Sequence, residues 1–177
     1  MRHVLIIGGT GMLRDTSEYF IKKGHFVTLL ARTNYRMDAI KAEYPDKEKN
    51  IFTISQDYTE PEKALNGIKM SIDTFGPVDI AILWIHTSGE EFSNLIKTFL
   101  FSHSPKTTIF QVWGSASVNP KSFTQKNWKE KYPNRYKEIF LGYKRKNGSV
   151  RWLTNSEISE GIIKAVQEND SESIIGR

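Results

Sequence analysis

The chain contains no cysteine, so disulfides and thiolate chemistry are excluded, while the redox compartment stays open. No apolar run approaches the length of a bilayer-spanning helix, so no membrane segment is expected. The N-terminus reads at once into an apolar strand and leaves no room for a secretory leader, which points to the cytoplasm. A recognisable DNA-binding element is also missing, although the net charge of +5 and the pI of about 9.3 invite one. The cations lie in loops and in the segment from Lys121 to Lys146. Such a surplus suits a phosphorylated small ligand. The expected partner is therefore a small molecule rather than nucleic acid or membrane, with no metal in the site. A homo-oligomer is compatible with this composition.

What is present describes a globular protein. Hydrophobic residues make up 38% and charged residues 25% of 177 positions, enough for one domain with its own core. Residues 1–177 are read as a single NAD(P)-binding domain, without an internal repeat or a dividing linker.

Apolar runs that read as strands alternate with segments of helical period. Strands are expected over 3–8, 26–31, 51–55, 78–85 and 107–113. Helices are expected over 12–23, 35–43, from about Thr59 or Glu60 to Phe75, and over 90–102. In the third helix Ala64, Leu65, Ile68, Ile72 and Phe75 share a face. In the fourth Phe92, Leu95, Ile96, Phe99 and Leu100 point inward. Uninterrupted alternation of this kind argues for an α/β fold: a doubly wound, mostly parallel sheet with helices on both faces, Rossmann-like. Residues 114–135 break the period and read as a long connection, a common home for function. Asn147-Gly148 signals a turn before a short returning strand, Val150 to Leu153. Thr154 to Glu157 matches a capping box that opens a last helix to about Gln167. Ser173 to Gly176 reads as a final strand.

The first βαβ unit carries the chemistry. An apolar strand runs into Gly8-Gly9-Thr10-Gly11-Met12-Leu13-Arg14, then a helix, then a second apolar strand ending Leu30-Ala31-Arg32-Thr33. Glycines let backbone approach a pyrophosphate, and the new helix offers unsatisfied N–H groups and the positive end of its dipole. This turn resembles the glycine motif of the short-chain dehydrogenase/reductase superfamily, in the Gly-x-x-Gly-x-x-Gly form of its extended and atypical branches. The resemblance covers about residues 1–115, and the chain is shorter than usual members. It is identified as an atypical, truncated member.

The resemblance implies roles for particular residues. Gly8 takes the tight turn and Gly11 admits the pyrophosphate, flanked by Gly9, Thr10, Met12 and Leu13. Arg14 replaces the third glycine, which puts close helix–strand packing there in doubt and offers a cation that could swing toward a phosphate. An acidic residue after the second strand would select NAD. Arg32 stands there instead, with Thr33 and Arg36 nearby, and a guanidinium suits the 2′-phosphate of NADP. Asp57 and Tyr58 fall where the family contacts adenine. The alternative for Asp57 is a carboxylate that steadies a helix start. Trp84 and Ile85 lie at the carboxyl edge of the sheet.

For catalysis the candidates are His86, Ser115 and Tyr143. Ser115 matches the family's serine by position. The family's proton donor is a tyrosine with a lysine four residues on, and the only such spacing here is Tyr19 to Lys23, on the first helix. Tyr132 and Tyr136 lack that lysine, and Tyr143 has one only adjacent. Two functions follow. One is an NADP(H)-dependent oxidoreductase acting on a small carbonyl or alcohol through an unconventional acid. The other is a non-catalytic NADP(H)-binding redox sensor or regulator.

Overall fold

The computed structural model describes residues 1–114 and 128–176. Strand β1 (His3–Ile7) leads to helix α1 (Arg14–Lys22), β2 (Phe26–Ala31) and α2 (Asn34–Glu43). A 3₁₀ segment, Pro45–Asn50, precedes β3 (Ile51–Ser55), then come α3 (Pro61–Phe75) and β4 (Ile80–Trp84). A second 3₁₀ turn, Thr87–Gly89, opens into α4 (Glu90–His103), followed by β5 (Thr108–Trp113) and β6 (Tyr136–Leu141). The chain closes with β7 (Tyr143–Lys146), β8 (Ser149–Trp152), α5 (Asn155–Glu168) and β9 (Glu172–Ile175).

Seven strands form one sheet in the order β3-β2-β1-β4-β5-β6-β9, and every neighbouring pair is parallel. The expected doubly wound fold is present. The order turns back between β1 and β4. That is the switch point at which such sheets open a crevice outside their carboxyl ends. Strands buried on both faces need apolar residues at every position, and His3–Ile7 is buried throughout.

Two cores sandwich the sheet. On one face Leu13, Phe20 and Ile21 of the α1 segment, Met37 and Ile40 of α2, and Ile158 and Ile162 of α5 meet Val4, Ile6, Leu29 and Phe110. On the other, Ala64, Leu65 and Ile68 of α3 and Phe92, Ile96 and Leu100 of α4 meet Leu5, Ile7 and Ile109. Ile72, Leu95 and Phe99 are only partly buried, while Lys97 and Phe101 are buried in their place. Lys97 fits because its ammonium lies 5.5–6.0 Å from the ring centres of Trp113, Trp128 and Tyr136. Burial pushes its pKa down to about 8, against the pull of Glu138 and Glu90.

The expected connection over 114–135 is shorter than its sequence suggested. Residues 128–131 are helical, and Tyr132 stacks on Phe101 with ring centres 3.9 Å apart. The turn at Asn147-Gly148 takes positive φ at both residues (50° and 77°), the geometry of a tight hairpin, and joins β7 to β8 as a separate antiparallel ribbon. The capping box is formed: the Glu157 N–H donates to Thr154 Oγ1, and the Thr154 N–H donates to the Glu157 carboxylate. Among the described residues no helix is long and apolar enough to cross a membrane.

Candidate functional site

A cleft of about 240 Å³ opens at the switch point. Gly8, Thr10, Gly11 and Met12 line it from the first turn. Leu30 to Thr33 and Arg36 line it from the end of β2 and the start of α2. Gln56 and Tyr58 follow β3, and Trp84 and His86 follow β4. Parallel strands all present their carboxyl ends on one edge, so four segments far apart in sequence meet there.

The first turn is built by steric need. Gly8 has φ +84°, a backbone state that costs an L side chain roughly 1–2 kcal/mol. A methyl group there would also lie 2.9 Å from Trp84 Cδ1. Gly11 differs: a methyl group would meet only Arg36 Nη1, at 3.7 Å, so this glycine faces the open cleft beside a cation. The Arg14 N–H donates to the Gly11 carbonyl (3.0 Å) and starts α1. No side chain caps α1 at Leu13 or α2 at Thr33. The turn that leads into α1 and the start of α2 thus face one cleft, while within α1 the Arg14 N–H is bonded to Gly11 and the Thr16 N–H to Ser159 Oγ.

Two residues of the turn serve the fold. Gly9 is where α1 approaches the sheet closely: its carbonyl accepts from Ser17 Oγ at 2.8 Å, and a methyl group there would lie 2.5 Å from that oxygen. The close packing that Arg14 put in doubt is supplied by Gly9 and Ser17. Leu13 sends its side chain fully into the core, leaving only its backbone for a ligand. Arg14 does not turn to the cleft. Its guanidinium pairs with Glu18 (2.8 Å) and with Glu43 at the end of α2, and Glu18 also accepts from Tyr44 Oη (3.0 Å).

Arg32 and Arg36 do line the cleft, and among the described residues neither is held in an ion pair. Asp57 is not among the lining residues, although its neighbours Gln56 and Tyr58 are. Its carboxylate accepts from the Thr59 N–H at 2.9 Å. That bond, with help from Arg32, holds its pKa below the usual value. Past the end of β3, a turn closed by the Glu60 N–H on the Asp57 carbonyl holds Asp57 out of the lining. Gln56, which the motif passes over, follows β3 directly at the carboxyl edge of the sheet, and that position was its signal. Ile85 likewise drops beneath the cleft and is 8% exposed, whereas Trp84 and His86 remain in it, edge to face at 5.3 Å.

The catalytic candidates are not brought together. His86 is in the cleft. Tyr143 stands on the exposed β7–β8 ribbon, edge to face with Trp152 at 5.5 Å, and the preceding strand β6 is separated from β1 by β4 and β5 in the sheet order. Ser115 lies outside the described residues. Tyr19 accepts from Gln167 Nε2 at 2.8 Å on the outer α1–α5 surface, so the Tyr19–Lys23 spacing is unrelated to the cleft.

Fold and cleft together define a doubly wound α/β protein with a glycine turn at its switch point. A family model described as short chain dehydrogenase matches residues 2–92, and the chain belongs to that family. Among curated proteins, none matches significantly. Solved structures share the fold at low identity. A short chain dehydrogenase/reductase family oxidoreductase from Aeromonas hydrophila superposes with TM-score 0.76 at 12% identity, covering 100% of this chain and 99% of that one. A short chain dehydrogenase from Bacillus anthracis gives 0.74 at 17%, covering 99% and 94%. A 3-ketoacyl-(acyl-carrier-protein) reductase from Brucella melitensis, complexed with NADH, gives 0.73 at 13%, covering 98% and 95%.

Proposed function

We propose that the cleft binds NADP(H). The observation that carries this reading is the pair Arg32 and Arg36, which line the cleft at the end of β2 where an acidic residue would select the unphosphorylated ribose. In this reading the two guanidiniums take the 2′-phosphate. The backbone from Gly8 to Leu13 takes the pyrophosphate, and Gln56 and Tyr58 border the adenine. The cofactor, when bound, would supply hydride chemistry. The chain's own contribution is to bind and orient it, with His86 as the one titratable side chain of the catalytic candidates that lines the cleft.

The test is titration of the protein with NADPH and NADH. NADPH is expected to bind more tightly, and Arg32→Ala is expected to weaken NADPH by about tenfold or more while leaving NADH nearly unchanged. That follows from losing a charge-assisted hydrogen bond of roughly 1.5–3 kcal/mol. Equal affinities for the two in the unaltered protein would defeat the proposal.

A second reading, a non-catalytic NADP(H)-binding regulator, is favoured by one observation. Tyr143, the tyrosine among the catalytic candidates, and Tyr19, which has a lysine four residues on, both lie away from the cleft.

A further inference from the structure

The neighbouring strands β2 and β3 supply both the cations of the cleft and a pair of residues placed to meet a base. Arg32 lines it just past the end of β2, and Gln56 and Tyr58 line it past the end of β3. The Gln56 N–H donates to the Ala31 carbonyl at 3.2 Å, so pairing with β2 runs one residue beyond Ser55 and fixes Gln56 beside Arg32. Tyr58 is held as well. Its ring lies nearly parallel to that of Phe92, with 7° between the planes and centres 6.4 Å apart. A methyl group at Gly89 would lie 2.6 Å from Tyr58 Cδ2. An aromatic ring held at the cleft in this way suits a planar base.

Asp57, between these two residues, is engaged elsewhere. Its carboxylate accepts from the Thr59 N–H at 2.9 Å, its carbonyl accepts from the Glu60 N–H at 3.0 Å, and it does not join the lining. The side chain that this segment offers to the edge of a base is therefore the carboxamide of Gln56. The difference is chemical. A carboxylate only accepts, so it pairs with a 6-amino group and opposes a 6-oxo group. A carboxamide carries N–H donors and an oxygen acceptor in one plane, and its terminal torsion is roughly two-fold. Turned one way it accepts from a 6-amino group. Turned the other way it donates to a 6-oxo group.

We infer that Gln56 reads the base of the bound nucleotide and accepts 6-amino and 6-oxo purines alike. This rests on the nucleotide reading above and deepens it. The ligand class becomes 2′-phosphorylated purine dinucleotides, with adenine or hypoxanthine as the base. Selectivity then resides in the 2′-phosphate at Arg32 and Arg36. The base adds stacking at Tyr58 and an amide contact whose direction follows the base.

Calorimetric titration of the full chain with NADPH and with its hypoxanthine analogue, in which a 6-oxo group replaces the 6-amino group, tests it. The two dissociation constants are expected to agree within about threefold. Gln56→Glu keeps the shape and leaves acceptors only. It is expected to bind the hypoxanthine form more weakly than NADPH by about tenfold or more. The ratio is read, because the added negative charge weakens both. A preference of about tenfold or more for NADPH in the unaltered protein overturns the inference, while the NADP(H) proposal stands. Equal binding of the two by Gln56→Glu also overturns it, because position 56 then does not meet the base. If neither dinucleotide binds the unaltered protein, the nucleotide reading falls and takes the inference with it. Should Gln56→Glu not fold, the unaltered protein alone decides.

Discussion

At His3 a single imidazole joins three parts of the sheet's amino-terminal edge. Nδ1 lies 2.7 Å from the Gly76 carbonyl, which only accepts, so Nδ1 carries the proton. Nε2 then accepts from Thr28 Oγ1 at 2.8 Å. The His3 N–H donates to Asp79. Burial lowers the pKa of this ring, against the opposing effects of the Gly76 carbonyl and Asp79. The unfolded chain therefore binds the proton more readily, and stability rises with pH. The contribution is complete above the unfolded value of about 6.5 and is lost as pH falls from there toward the lowered folded value. Denaturant unfolding at about pH 7.5 and pH 5.5 should show a loss of stability in acid that shrinks in His3→Gln. An identical loss in both proteins would assign it to other groups, such as His25.

Helix α1 shows how an element can depart from a motif and keep its geometry. The glycine expected at position 14 is an arginine. Close approach to the sheet is moved back to Gly9 and Ser17, and the freed position fastens α1 to the end of α2 through Glu18 and Glu43. These pairs are partly exposed, so together they are worth about 1 kcal/mol at most. Arg14→Ala is expected to cost no more than that in thermal or denaturant unfolding and to leave NADPH affinity within about twofold. A loss of affinity matching that of Arg32→Ala would place Arg14 on a phosphate after all. Helix α5 is fastened in a similar way. Its capping residue Glu157 also accepts from Lys144 (2.7 Å) and Arg151 (2.8 and 2.9 Å), which ties the β7–β8 ribbon to the helix start. Arg151, Lys144 and the Thr154 N–H hold the Glu157 carboxyl far below the usual range.

For the molecule as a whole, the cleft lining and the candidate Tyr143 lie apart among the described residues. Among the described residues, the half of the sheet from β3 to β4 supplies the cleft lining. The half from β5 to β9 holds Tyr143 on its ribbon and buries Lys97 and Tyr136 beyond reach of solvent. A general acid must come within hydrogen-bond reach of the atom it protonates, and of the described candidates only His86 lines the cleft. NADPH consumption over a broad panel of ketones and aldehydes is therefore expected to stay at background. Turnover that disappears in Ser115→Ala would refute this and restore the oxidoreductase reading.

The sequence by itself determined the order of elements, the parallel sheet and the glycine turn. These depend on local periods and on backbone freedom at Gly8, which are written in consecutive residues. Capping at Thr154 and the turn at Asn147-Gly148 were legible for the same reason. What only the tertiary structure decided is which way side chains face once strands are in register. It turned Gln56 into the cleft and Asp57 away, sank Leu13 and Ile85 into the core, and drew Arg14 toward Glu43. It also buried Lys97 among rings contributed by separate segments, and laid the Trp84 indole between two glycines more than 100 positions apart. No local pattern encodes such contacts, because each arises from packing between segments distant in the chain.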